Sequence, residues 1–209
     1  MKTRTLAAAG AVVLAAGVTL GACSSSGDHG SMSMSTTTVA PVAAIPADAE
    51  FNATDVGFAQ GMIPHHAQAI VMADMALEQS SDSDVTELAT EIKAAQAPEI
   101  EQLTAWLTTW GQPVPDASGG MDHSMDGMDR MMMSGMMSDA DMARLGNASG
   151  TDFDTMWLQM MIQHHEGAIT MARDEVAGGE YAATKAMAQS IITSQQAEID
   201  TMNALLNQA

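Results

Sequence analysis

The sequence predicts an all-α protein, a four-helix bundle assembled from two copies of one helical hairpin. Three observations predict it. A shift of 99 residues overlays Asp55–Leu107 on Asp154–Leu206 without a gap, with 17 of 53 positions identical, far above chance for unrelated segments. Apolar residues recur at three- and four-residue steps within each copy, the period of one helical face. Each copy is also broken once by turn-forming residues, Ser80–Asp84 in the first and Gly178-Gly179 in the second, so each supplies two helices.

The elements follow in chain order. Residues 1–22 read as a lipoprotein signal peptide: Lys2 and Arg4 precede an apolar run, Leu6–Leu20, shorter than the roughly 20 residues a spanning helix needs. It ends in Leu20-Gly21-Ala22-Cys23, which resembles the lipobox of bacterial lipoproteins. That resemblance implies lipidation of Cys23 and a lipid anchor holding the protein on the extracytoplasmic face of the cell membrane. An ordinary signal peptide with a leftover cysteine is the alternative. Residues 23–49, rich in Ser, Thr, Gly, Ala and Pro, read as a flexible tether. A small Met/His cluster, His29, Met32 and Met34, lies within it.

Residues 50–209 form the predicted domain, with repeat 1 at about 55–110, a linker at 111–150 and repeat 2 at about 151–208. In the first helix Phe58, Met62, His65, Ala69, Met72 and Ala76 share a face. Pro64 lacks a backbone donor, so a kink before His65 or a late helix start is expected. The helix ends near Gln79, where the Ser/Asp cluster also caps the next. That second helix is expected from about Asp84 to Trp110, burying Leu88, Ile92, Gln96, Glu99, Leu103 and Trp106, with a second kink at Pro98 and a stop at Gly111 and Pro113. The later copy predicts helices at about Thr151–Ala177 and Glu180–Asn207. The intervening 40 residues, Gly111–Gly150, permit a long crossover, the ferritin-like arrangement, with a short helix near Asp139–Leu145.

Charge and composition narrow the chemistry. The formal charge is −19, and losing Lys2 and Arg4 with the signal peptide makes it −21. Such a surface repels nucleic acid and attracts cations in general. Cys23 is the single cysteine; once lipidated it leaves no thiolate, so a soft-metal site must use thioether or imidazole. Methionine supplies 21 of 209 residues. Gap-filling in helical cores is its ordinary use, so position has to decide.

Four of the six histidines form two adjacent pairs, His65-His66 and His164-His165, at equivalent repeat positions. Neighbours on a helix point about 100° apart, and His65 and His164 share the inward face with Met62, Met72, Met161 and Met171. Carboxylate-bridged di-iron bundles place Glu three residues before His. Here Met62 and Met161 occupy that place. Thioether with imidazole suits Cu(I) or Ag(I), whereas iron would want carboxylates. Packing alone could also account for these methionines. Gln96, Glu99, Gln195 and Glu198 recur among apolar residues; an inward carboxylate needs a partner, and an imidazole N–H would serve while fixing the ring from behind. Solvated positions at the stripe edge are the other reading. In the linker, Met121, His123, Met125 and Met128 open a tract holding eight methionines in 17 residues, up to Met137, without Leu, Ile or Val. It cannot bury a core of its own, and reads as a flexible collector of soft cations. A Met-rich surface for hydrophobic partners is the rival.

The doubled Phe58-x-x-x-Met62-Ile63-Pro64-His65-His66-x-x-Ala69-Ile70-x-Met72-Ala73 motif resembles the signature of domain-of-unknown-function family 305 over Ala49 to about Gln208. The resemblance implies a ferritin-like helical fold in a secreted or lipid-anchored protein. For some members it implies copper or silver binding linked to copper tolerance. The second copy carries Gln163 in place of Pro64 and Gly167 in place of Gln68, so metal affinity is expected to differ between halves. The leading expectation is a non-enzymatic Cu(I) or Ag(I) buffer, store or carrier, which would hand its ion to a transfer partner the residues do not identify. A ferritin-like di-metal redox enzyme using the His pairs with Glu99 and Glu198, or a structural or partner-binding helical domain with no metal, are its rivals.

Overall fold

The computed structural model describes residues 49–116 and 134–208. The readings for Cys23, the tether, Met121, His123, Met125 and Met128 lie outside them. Among the described residues all regular structure is helical: α1 (Ala53–Gln79), α2 (Ser83–Thr109), α3 (Asp139–Gly146), α4 (Gly150–Gly178) and α5 (Ala182–Leu206). None of these helices is long and apolar enough to cross a membrane.

Local chemistry sets the ends. The Asn52 side chain accepts from the backbone N–H of Thr54 and Asp55, and Asp55 accepts from Asn52 N–H in return. A cap of this kind contributes about 1 kcal/mol. Ser138 and Asp141 cap α3 in the same reciprocal manner, while at α2 the Asp82 side chain accepts from the N–H groups of Asp84 and Val85. In place of the late start that its proline allowed for, α1 begins at Ala53 and runs unbroken through Pro64; α2 likewise passes through Pro98. Flanking turns and tertiary burial hold the helix where one missing donor would weaken it.

Close helix approach runs in the order α2–α1–α4–α5: each hairpin packs on itself, and the hairpins meet chiefly through α1 and α4. Side chains from all four long helices enter two apolar clusters. One holds Met72, Ile92, Phe153, Trp157, Met161 and Met202. The other holds Phe58, Met62, Leu103, Leu107, Met171 and Ile191. Trp157 ties the halves together, its indole N–H donating to the Met72 carbonyl at 2.8 Å.

Two expected positions are corrected. Trp106 is half-buried, and Leu107 takes the core place on α2. The indole instead joins Phe51, Trp110 and Tyr181 in an aromatic group at one end of the molecule; its bulk fits better at the rim, where flat rings stack. Met137, read as part of the cation-collecting tract, is a core residue of the first cluster, 3% exposed. There the gap-filling use of methionine wins.

Candidate metal-binding site

Between the two apolar clusters lies a polar layer. In α1 the buried sequence passes from Met62 and Ile63, through His65 and His66, to Ala69 and Met72. In α4 it passes from Met161, through His164 and His165, to Ala168 and Met171. Gln96 and Glu99 on α2, with Gln195 and Glu198 on α5, complete the layer. All four histidines are fully buried, and both glutamines nearly so. The layer is central because the internal repeat puts the same i, i+1 histidines midway along both inner helices.

The members of each pair face different ways, as their 100° offset requires. His65 and His164 meet ring on ring across the α1–α4 seam, with centroids 3.7 Å apart. His66 and His165 turn to the second helix of their own hairpin. There His66 Nε2 meets Glu99 Oε2 at 2.8 Å, and His165 Nε2 meets Glu198 Oε2 at 2.7 Å. His65 Nε2 meets a backbone carbonyl, that of Ser134, at 3.1 Å. A carbonyl or carboxylate oxygen accepts, so Nε2 carries the proton in these three rings, and in a neutral ring the lone pair sits on Nδ1. Burial holds His65 down to about 3, with the neighbouring His66 and His165 adding to it against the Ser134 carbonyl. Burial likewise holds His164 far below the usual range, reinforced by His65, His165 and His66. Both central rings are therefore neutral at physiological pH.

Among the described residues, eight buried polar atoms of this layer have no hydrogen-bond partner of good geometry: Nδ1 of all four histidines, Nε2 of His164, both amide atoms of Gln96, and Oε1 of Gln195. Each such atom costs about 1–3 kcal/mol in a closed apolar setting. A ligand bound in this layer could satisfy several of them at once. The methionines bracket it: Met62 and Met171 fall in one apolar cluster, Met72 and Met161 in the other. Among the described residues, no three His, Cys, Asp or Glu side chains form a ready-made metal site. The rings of His65 and His164 lie against one another at 38°.

No apolar periodicity announces the segment that closes the layer. Ser134–Met137 crosses between α1 and α4 as a strap. The Gln68 amide grips it twice, donating to the Met137 carbonyl at 2.9 Å and accepting from Met137 N–H at 2.7 Å. On the α4 side a side chain at Gly167 would put its Cβ 2.0 Å from the Ser134 oxygen. Gly135, at φ +79°, lies against the backbone of Gln163 and His164. The one available signal was the repeat mismatch at this position, Gln68 against Gly167.

A duplicated all-helical protein with a buried histidine layer between methionine-lined apolar halves is the class these features define. The chain belongs to the DUF305 family, a domain of unknown function whose model matches residues 55–206. Among curated proteins no relative matches it. Solved structures do. A protein of this family from Streptomyces coelicolor, named as secreted, is 32% identical at a TM-score of 0.66, covering 74% of this chain and 93% of its own. A DUF305 fragment from Deinococcus radiodurans is 30% identical at 0.65, covering 76% and 98%. CopM in a Cu(II)-bound form is 33% identical at 0.61, covering 74% and 96%; CopM has also been solved with Cu(I) and with silver.

Proposed function

We propose that this protein binds Cu(I) or Ag(I) outside the cytoplasm as a non-enzymatic buffer, store or carrier. The observation that carries the reading is the set of unpartnered Nδ1 atoms in a fully buried layer, backed by Nε2 atoms held on oxygen. Metal-ligating histidines characteristically donate their other N–H to a carboxylate or carbonyl. Here Glu99, Glu198 and Ser134 supply that acceptor. Met62, His65, His66 and Met72, with Met161, His164, His165 and Met171, are the proposed ligands, and neutral imidazole with thioether prefers a soft monovalent ion. Gln96 and Gln195 would orient the layer. Uptake requires the closely packed His65 and His164 rings to swing apart. CopM, solved with the same ions, supports the choice of metal.

Titrating Cu(I) into the metal-free protein against a competing chelator tests this. Wild type should hold the ion in competition. His65→Ala with His164→Ala should weaken the tightest binding at least a hundredfold, leaving weaker sites in the Met121/His123/Met125/Met128 tract. Binding equal to that of a methionine-poor helical control would remove the proposal.

Anchoring through lipid on Cys23 is part of the same reading, supported by the apolar run that ends there. A Cys23→Ser variant should leave the membrane fraction for the soluble one and lose the mass of the acyl chains. An unchanged mass in the mature wild-type protein would refute the anchor.

A further inference from the structure

The two halves of the layer are not equivalent, and the strap is the reason. His66 and His165 each have a carboxylate from their own hairpin, a symmetric pair of contacts. The fold offers no such symmetric acceptor to His65 and His164. His65 obtains one from outside the repeats, the Ser134 carbonyl, while among the described residues neither ring nitrogen of His164 makes a hydrogen bond of good geometry, its one such influence being a weak one from the His65 backbone carbonyl. We infer that the Ser134–Met137 strap is a positioning device for the candidate site, locking His65 with Nδ1 presented to the ion and leaving His164 as the ligand free to turn.

Three contacts show that the strap is built into place. Gln68 holds the Met137 peptide group on both its N–H and its carbonyl. The missing side chain of Gly167 admits the Ser134-Gly135 backbone to a distance no other residue would allow. Met137 then anchors the strap in the apolar core. Gln68 and Gly167 occupy the same position of the two repeats. Their difference therefore selects a single orientation for a segment that two identical halves could not distinguish: α1 grips and α4 makes room.

The consequence for metal binding rests on the copper and silver reading; the consequence for the ring does not. Long-range ¹H–¹⁵N correlation spectra of the metal-free full chain separate the two. In wild type, His65 should be a single Nε2–H tautomer, with His164 averaging between tautomers. In Gln68→Ala the His65 signal should move toward averaging, while His66 and His165 stay fixed as internal controls. Ag(I) affinity by chelator competition should fall about tenfold, the lower end of what losing such an orienting contact costs. Gly167→Ala, which forces the strap off α4 by an independent route, should do the same.

A His65 tautomer that survives both substitutions in folded protein would overturn the inference. So would a lost tautomer with silver affinity intact. If wild type fails to bind Ag(I), the metal reading falls and with it the strap's role toward an ion, an outcome visible in wild type before any substitution is made.

Discussion

Replacing Trp157 with alanine is expected to destabilise the protein by roughly 3–5 kcal/mol, the cost of emptying a large, fully buried aromatic site. Trp157 is 0% exposed and sits in the larger apolar cluster, and its N–H reaches across the α1–α4 seam to Met72. The loss approaches the whole stability of a marginal domain, about 5–15 kcal/mol. Urea unfolding followed by circular dichroism should show the midpoint falling by about 2 M. Trp157→Phe keeps most of the ring but not the donor, and should cost much less, because the hydrogen bond alone contributes only about 1 kcal/mol. A loss below 1 kcal/mol for the alanine variant would mean that α1 and α4 do not meet through this residue.

The second large effect depends on pH. At the end of the molecule where α1 docks on the α4–α5 turn, Asp55 and Glu175 are both fully buried. The Thr184 hydroxyl stands 2.7 Å from Asp55 Oδ1 and 2.6 Å from Glu175 Oε1, yet it has a single proton to donate. Burial raises the Glu175 carboxyl to about 7; the Thr184 hydroxyl opposes this, and the adjacent Asp55 adds to it. Burial also opposes ionisation of Asp55, but N–H groups of Asn52 and Glu180 and the Thr184 hydroxyl outweigh it, leaving that carboxyl below its usual value.

The signs then differ. Glu175 binds its proton more tightly folded than unfolded, so its contribution is complete below its ordinary pKa of 4.5 and is lost as pH rises through about 7. Asp55 contributes above its ordinary 3.8, and that contribution is lost as pH falls through its lower folded value. The depressed His65 and His164 contribute fully above 6.5, and that contribution is lost progressively as pH falls from there toward their folded values, about 3 for His65. Measured against Glu175→Gln, which is neutral throughout, the unfolding free energy of wild type should drop by roughly 2 kcal/mol between about pH 5.5 and 8.5, the difference removing the opposing histidine contribution. Glu175→Gln should lack this fall and be the more stable protein at pH 8.5. Parallel profiles for the two proteins would show that Glu175 ionises as freely when folded as when unfolded.

Much of this molecule was legible before any coordinates. Helix ends came from local chemistry: the Ser80–Asp84 capping cluster and the three- and four-residue apolar steps act within one or two turns. The repeat declared the four buried histidines, because a buried pair at symmetry-related places is visible wherever both copies keep it. Glu99 and Glu198 stood out as carboxylates on apolar faces. Other features were not legible. Asp55 meets Thr184 across 129 residues, and Gln68 meets Met137 across 69, with no periodicity connecting either pair. Trp106 and Leu107 both fit an amphipathic helix, and the choice between them depends on what stands opposite.

The residues alone determined the helical class, the duplication, and the imidazole and thioether inventory, since each follows from composition or from interactions a few positions apart. Tertiary structure decided how that inventory is used. It packed His65 against His164, turned His66 and His165 to their carboxylates, and drew a strap from outside the repeats over one histidine only. Those outcomes rest on side-chain direction and on backbone contact between distant segments, which a linear pattern does not encode.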